Sequence, residues 1–169
     1  VRVFGGTPRQ AGVLAALGSL SYAASATQAG RITSYFESRL YLLIGMNVAL
    51  LIGSTVVYLA PYIWVAYAGI VLLGIGFGVV LSIYRSIMTN LASPALRGGL
   101  VSLGEGFGRI TATLTPIGMG VGIAVGTPQL GFDTSVQLVG VLPGVVGSGI
   151  GILCLLVLNS APPIDPPSD

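Results

Sequence analysis

Glu105 and Arg109 are the residues of this sequence best placed to do chemistry, because both lie inside a long apolar segment. They stand one helical turn apart with the acid first, the better orientation for an ion pair within a helix. A lone charge at the centre of a bilayer costs roughly 2.5–3.5 kcal/mol, and ionisable groups in membrane helices usually face a cavity. Either the pair lines a water-filled path, where it binds a polar substrate, gates it or relays protons, or it only neutralises itself and holds helices together.

The composition identifies the surroundings of this pair. Of 169 residues, 53% are hydrophobic and 7% are charged, and the mean hydropathy is +0.93. A soluble domain carries about 25% charged residues, so most of this surface must face lipid. The chain has no His and one cysteine, Cys154, which argues against a metal site or a Cys/His catalytic pair. We expect no cofactor and no nucleic-acid partner, although the net charge of +2 by itself says little about partners, because a few arginines determine it.

Five apolar runs approach the length of roughly 20 residues that a helix needs to cross a bilayer. They are residues 11–29, 40–60, 62–84, 99–126 and 136–158. Spanning strands would be about half as long and would alternate polar with apolar residues. The sequence therefore predicts an all-α integral membrane protein with five transmembrane helices. Residues 159–169 are expected to be a Pro-rich tail.

The arginines predict the orientation of these spans, because basic residues near span ends are retained on the cytoplasmic side. The basic residues of two connections are Arg31, Arg39, Arg85 and Arg97. These connections and the C-terminal tail are therefore expected to be cytoplasmic, although Arg2 and Arg9 then fall outside, against the rule. All seven basic residues are arginine, which is typical of a GC-rich genome. We expect the plasma (inner) membrane of a prokaryote.

Glycine is unusually frequent, with 26 residues, and many glycines lie four apart on one helix face. The pairs are Gly74 and Gly78, Gly104 and Gly108, Gly118 and Gly122, Gly140 and Gly144, and Gly147 and Gly151. Small residues at this spacing let two membrane helices approach closely. Pro116 removes a backbone hydrogen bond and is expected to bend the fourth span, where neighbouring threonine hydroxyls can satisfy freed carbonyl groups.

The segment AGRITSYFESR resembles the loop signature of major facilitator superfamily transporters, a pattern of the form G-x-L-a-D-R-x-G-R-R. Gly30, Arg31 and Arg39 match this pattern. Ser34 stands where the usual acid would be, and Glu37 falls near the second glycine. The resemblance implies that this loop latches the cytoplasmic face, and Ser34 puts an acid-based latch in doubt.

The segment SPALRGGLVSLGEGFGRITATLTPIGMGVG is similar to the region of the tenth and eleventh helices of the same family. The matching residues are Pro94, Arg97, Gly98, Pro116, Gly118 and Gly120. Thr115 precedes the proline where the antiporter form has glycine, which argues against a drug/proton antiporter. The resemblance implies that the five spans are helices eight to twelve of a twelve-helix fold, whose partner is the missing N-terminal half of the same polypeptide. It also implies that residues 1–10 are an external connection from a missing upstream helix.

Two functions follow from these observations. The first is a secondary transporter that moves a small solute, of unidentified class, by rocking its two halves around a central site. The alternative is a small integral membrane scaffold or assembly subunit that packs through its glycine faces and has no pathway. An intramembrane enzyme is not expected, because the chain has neither His nor Lys.

Overall fold

A computed structural model of the protein describes residues 6–36, 38–91, 93 and 95–160. In this part of the chain there are five α-helices: α1 (Pro8–Ser34), α2 (Arg39–Leu59), α3 (Ile63–Leu91), α4 (Arg97–Leu130) and α5 (Phe132–Ser160). Each of the five predicted runs coincides with one helix, so the predicted all-α membrane fold is confirmed. The largest difference at any one helix end is at α3, which continues past residue 84 to Leu91.

Four of the described helices, α2 to α5, are long and apolar enough to cross a membrane by length and composition. The helix α1 is not among them, because serine, threonine, glutamine and arginine interrupt its apolar residues. It nevertheless packs along α3, from Gly6 beside Ile63 to Ser25 beside Gly78. Since α3 is long and apolar enough to span, α1 lies at the same depth in the bundle.

Local signals explain where the helices begin and end. At the start of α1, Thr7 accepts a hydrogen bond from the Gln10 backbone, and the Gln10 side chain accepts one from Thr7, which together form a capping box. Pro61 lies in the short connection between α2 and α3. Gly131 joins α4 to α5 with a φ of 79°, a left-handed conformation that favours glycine.

The most extensive interface is between the parallel helices α1 and α3. A methyl group at Gly78 would collide with the Ser25 hydroxyl and the Tyr22 carbonyl oxygen. The Ser25 hydroxyl donates to the Tyr22 carbonyl at 3.0 Å and approaches the Gly74 carbonyl at 3.4 Å. The two backbones therefore touch through glycine, as expected of helices that associate by dispersion contacts in lipid.

The helix α2 packs antiparallel to α3 on one side and to α5 on the other. A Cβ at Gly53 would lie 2.8 Å from the Leu73 backbone nitrogen, and one at Gly144 would overlap the Ser54 hydroxyl. Around this contact lies the main hydrophobic core, formed by Leu42, Leu43, Leu50, Val79, Val80, Ile83 and Leu155. The core is thus shared by α2, α3 and α5.

The predicted glycine pairs pack to different extents. Both members of two pairs, Gly74 with Gly78 and Gly140 with Gly144, lie against a described neighbour. In each remaining pair one member does so and the other has no described atom within 4 Å of a built Cβ; these open members are Gly108, Gly118 and Gly147. Close glycine packing is therefore concentrated around α3 and along the α2–α5 interface.

The helix α4 is the least enclosed of the five and has no buried residue among those described. Near its end it packs on α5, with Gly126 beside Ser135 and Gly122 beside Val139. Near its start Gly104 contacts the Met88 side chain of α3. One long side of α4 is left uncovered by the described residues.

Replacing Gly78 by alanine tests the α1–α3 packing. We expect Gly78→Ala to lower the melting temperature of the detergent-purified protein, because overpacking a tight contact costs about 1–3 kcal/mol. Gly45→Ala is the matched control, since Gly45 is exposed on α2 with open space around a built Cβ. This control should leave the melting temperature unchanged or raise it, because alanine favours helix. Equal melting temperatures for the two variants would contradict the packing.

Candidate functional site

Glu105 forms an ion pair with Arg85, and the sequence-based expectation that its partner is Arg109 is corrected. The Arg85 Nη2 atom donates to the Glu105 Oε1 atom at 2.8 Å, which joins α3 to α4. Both side chains are about half exposed in the protein, at 57% and 43%. Glu105 pairs with Arg85 rather than with Arg109 because the packing of α3 against α4 brings the Arg85 guanidinium directly to the Glu105 carboxylate.

Sequence reasoning missed Arg85 because it placed this residue in a loop after a span ending at 84. The segment SIYRSIMTNL contains no helix breaker before Pro94, and Ile83 and Ile87 keep helical spacing against the core. The helix therefore continues to Leu91 and carries Arg85 on its last turns. The uninterrupted pattern after residue 84 was the signal that could have found it.

Arg109 lies one turn further along α4 and is exposed. Its side chain makes no hydrogen bond or ion pair with any residue the structure describes. Its backbone carbonyl accepts a hydrogen bond from the Thr113 hydroxyl at 3.0 Å. The predicted pair is therefore split: Glu105 is neutralised by α3, and a cationic group is left on the surface of α4.

Arg109 belongs to a row of small and polar residues that we call the α4 stripe. The stripe consists of Gly99, Ser102, Gly106, Arg109 and Thr113, which alternate in steps of three and four and so share one helix face. A Cβ built at Gly99 or Gly106 would meet no described atom within 4 Å. A shallow apolar groove of about 340 Å³ lies over the first part of this face, from Gly99 to Gly106, and Leu103, Phe107 and Ile110 border it. The stripe is uncovered by the described residues.

The helix α4 continues without a break past Pro116, the residue expected to bend it. The Thr111 and Thr115 hydroxyls donate to carbonyl oxygens one turn earlier, at 2.9 and 2.8 Å. None of these described hydroxyl groups donates to the Ala112 carbonyl, the group that Pro116 leaves without its backbone donor, so the expected bond to the freed carbonyl is not made. Gly118 and Gly120 have no described atom within 4 Å of a built Cβ, so their packing role stays a prediction.

The loop-signature residues lie at the end of α1 and the start of α2. Arg31 Nη1 contacts Gln28 Oε1 at 3.4 Å, and the Ser34 hydroxyl donates to the Arg31 carbonyl at 2.7 Å. Gly30 and Arg39 line a hollow between α1, α2 and α3. Glu37 lies outside the described residues, so the predicted latch stays a prediction.

The second matching segment begins α4. Arg97 is the first residue of this helix, and its backbone N–H donates to the Ser93 carbonyl at 3.1 Å. Gly98 follows with open space around a built Cβ, and Pro94 lies outside the described residues. Within the described chain, Cys, Asp and Glu side chains form no group of three able to hold a metal ion.

Charge reversal distinguishes the two possible partners of Glu105. Glu105→Arg alone should place two cations together and lower the melting temperature of the purified protein by several degrees. The double variant Arg85→Glu/Glu105→Arg should recover most of this loss, because the pair is restored with opposite polarity. Glu105→Arg/Arg109→Glu is the matched control and should not recover it. Equal recovery by both double variants would contradict the Arg85–Glu105 pair.

Comparisons with known proteins agree with these features. The family model described as Major Facilitator Superfamily matches residues 1–169. No curated protein and no solved structure matches the chain significantly. With its long apolar helices, this match makes the protein a multi-pass membrane protein of the transporter type, in a family whose members are transporters rather than enzymes. The chain belongs to the Major Facilitator Superfamily.

Proposed function

We propose that this chain is the C-terminal portion of a secondary active transporter that moves a small solute by alternating access. Its five helices would be helices eight to twelve, and the N-terminal half of the same polypeptide would complete the pathway. The family match supports transport in general. The observation that carries the specific proposal is the α4 stripe, a polar face with an arginine on a helix apolar enough to span a membrane.

The charge of Arg109 supports water rather than lipid at this face. An arginine at the centre of a membrane helix costs roughly 2.5–3.5 kcal/mol on insertion scales, and the cost falls towards the ends of the span. Arg109 lies in the first half of α4. The carboxylate one turn away, Glu105, is already paired with Arg85. A water-filled path along the stripe removes this cost. If the stripe faced lipid, the Arg109 side chain would have to extend along the helix until its guanidinium reached the membrane interface.

The packing of α4 supports movement. The helix touches α5 near one end and α3 near the other, mostly through glycine positions, without a row of interlocking large side chains. Such surfaces let α4 shift against α3 and α5 within its own half, because they can separate without pulling buried side chains out of pockets. The Arg85–Glu105 pair would hold α3 and α4 together at one mouth of the path.

The arginines support an orientation for this transporter. Arg31, Arg39 and Arg97 lie at helix ends that the antiparallel topology brings to one side of the bundle, and Arg85 lies close to that side. We call this side the arginine end. Basic residues near span ends favour the cytoplasm, so the proposed protein has a cytoplasmic C-terminus and lies in the plasma membrane.

Cysteine accessibility tests the pathway without knowledge of the substrate. In the full-length polypeptide with Cys154→Ser, we expect Thr113→Cys on the stripe to react with a membrane-impermeant maleimide. The reaction should occur in right-side-out and in inside-out vesicles, because alternating access opens the path to each side in turn. The matched control is Leu142→Cys on α5, a position 55% exposed in the protein that lipid should shield. It should react from neither side.

Two results would contradict the proposal. Reaction of Thr113→Cys from one side only would indicate a fixed cavity rather than alternating access. Reaction as slow as that of Leu142→Cys would place the stripe against lipid or another helix, and would favour the membrane scaffold instead.

A further inference from the structure

A second polar site lies away from the α4 stripe, at the arginine end of the bundle. It is a hollow of about 270 Å³ where the end of α1, the start of α2 and the last turns of α3 meet. The lining residues are Ala26, Ala29, Gly30, Thr33, Arg39, Ser82, Ile83 and Ser86. We call this space the three-helix hollow. It lies below the range of about 300–1,000 Å³ for pockets that enclose whole small molecules.

The hollow exists because α1 presents small residues to it. Ala26, Ala29, Gly30 and Thr33 follow the spacing of one helix face. A Cβ at Gly30 would meet no described atom within 4 Å, so the space beside it is open. Buried Ile83 of α3 contributes an apolar wall. Three helices thus shape a recess rather than a flat surface.

The polar groups of the hollow divide into donors and acceptors. The Arg39 guanidinium has no hydrogen bond or ion pair with a described residue, and the Ser86 hydroxyl has none either. The Thr33 hydroxyl donates to the Ala29 carbonyl at 2.7 Å, and the Ser82 hydroxyl donates to the Gly78 carbonyl at 2.8 Å. Since their protons are engaged, the Thr33 and Ser82 oxygens can only accept. The hollow therefore offers donors to an anion and acceptors to a hydroxyl group.

We propose that the three-helix hollow binds a phosphate ester that carries a free hydroxyl group, such as the glycerol phosphate headgroup of an anionic lipid. The planar guanidinium of Arg39 suits two phosphate oxygens, and the ligand hydroxyl would donate to Thr33 or Ser82. Basic pockets between membrane helices on the cytoplasmic side are typical sites for anionic headgroups. The same chemistry would accept a soluble glycerol phosphate.

The surrounding charge favours the same ligand. At the arginine end Arg31 contacts the neutral Gln28 side chain, and Glu105 is already engaged by Arg85. Arg31 and Arg39 therefore place positive charge beside the hollow without an ion pair to a described carboxylate, and this charge attracts an anion. This site does not depend on the proposed transport activity, because a scaffold with the same helices would bind the headgroup equally.

Binding is measured by the melting temperature of the detergent-purified full-length protein as short-chain lipids or soluble esters are titrated. Dihexanoyl phosphatidylglycerol should raise it saturably, and dihexanoyl phosphatidylcholine should not. Glycerol 3-phosphate is tested against glycerol. Stabilisation by the lipid alone identifies a lipid site, and stabilisation by glycerol 3-phosphate as well identifies a general phosphate-ester site. Stabilisation by neither, or equal stabilisation by phosphatidylcholine, overturns the proposal.

Two single substitutions distinguish binding inside the hollow from a general attraction of anions to the positive charge of the arginine end. Arg39→Gln should weaken phosphatidylglycerol binding about tenfold or more, because it removes charge-assisted hydrogen bonds. Arg31→Gln is the matched control: it removes the same charge at the same end from a side chain that does not line the hollow, and it should weaken binding much less.

Filling the hollow is a second test that leaves the charge unchanged. Gly30→Leu should block binding, and Gly12→Leu, at an open position elsewhere on α1, should not. Both should retain the melting temperature of the unliganded protein. Equal weakening by Arg39→Gln and Arg31→Gln, or unchanged binding by Gly30→Leu, overturns the site.

Discussion

The close backbone approach of α3 to α1 and α2 is the contact on which the rest of the structure depends. Lipid gives helices no hydrophobic reason to associate, so dispersion between closely spaced atoms must hold them together. Gly78 allows this on the α1 side and Gly53 on the α2 side, and in both places a single methyl group would collide with the facing helix. The α5 helix joins this group through Gly144 against Ser54. The result is a group of four closely packed helices, α1, α2, α3 and α5.

Several buried polar side chains in these four helices make hydrogen bonds to backbone carbonyl groups of their own helix. The buried Asn47 side chain donates to the Leu43 carbonyl of its own helix at 2.8 Å, and the Ser25 hydroxyl donates to the Tyr22 carbonyl. Every such bond keeps a polar atom away from lipid without demanding a partner from another helix. No buried side-chain nitrogen or oxygen atom among the described residues lacks a partner. The interior of the four packed helices therefore offers no unpaired side-chain polar atom, among the described residues, that could bind a ligand.

Ionisable groups collect instead where packing is loosest. The helix α4 has no buried residue among those described, yet it carries Glu105 and Arg109. The arginines of one end also differ in state: Arg85 is paired, Arg31 contacts a glutamine, and Arg39 borders a hollow without a described partner. In this division the glycine contacts hold the helices together, and the charged side chains lie outside the closely packed interior. The Arg85–Glu105 pair is the link between the two parts.

The sequence by itself determined the environment, the helix count and the family. Apolar runs of span length can satisfy their backbone groups in lipid only as helices, and hydropathy and glycine spacing are local properties that need no knowledge of the fold. The residues AGRITSYFESR, with Arg97 and Pro116, were sufficient to indicate the family. The position of each helix along the chain followed from the same local pattern to within about five residues at each end, except for the end of α3.

The tertiary structure decided which groups meet. The i, i+4 spacing favoured Glu105 with Arg109, but whether another helix supplies a closer cation depends on the length and packing of α3. Glycine spacing likewise could not indicate that Gly78 is covered and Gly118 is open, because both read identically in sequence. The three-helix hollow joins residues from α1, α2 and α3 that are distant in the chain. The local sequence determines which side chains a helix carries on each face. Only the arrangement of the neighbouring helices determines which residues those side chains contact.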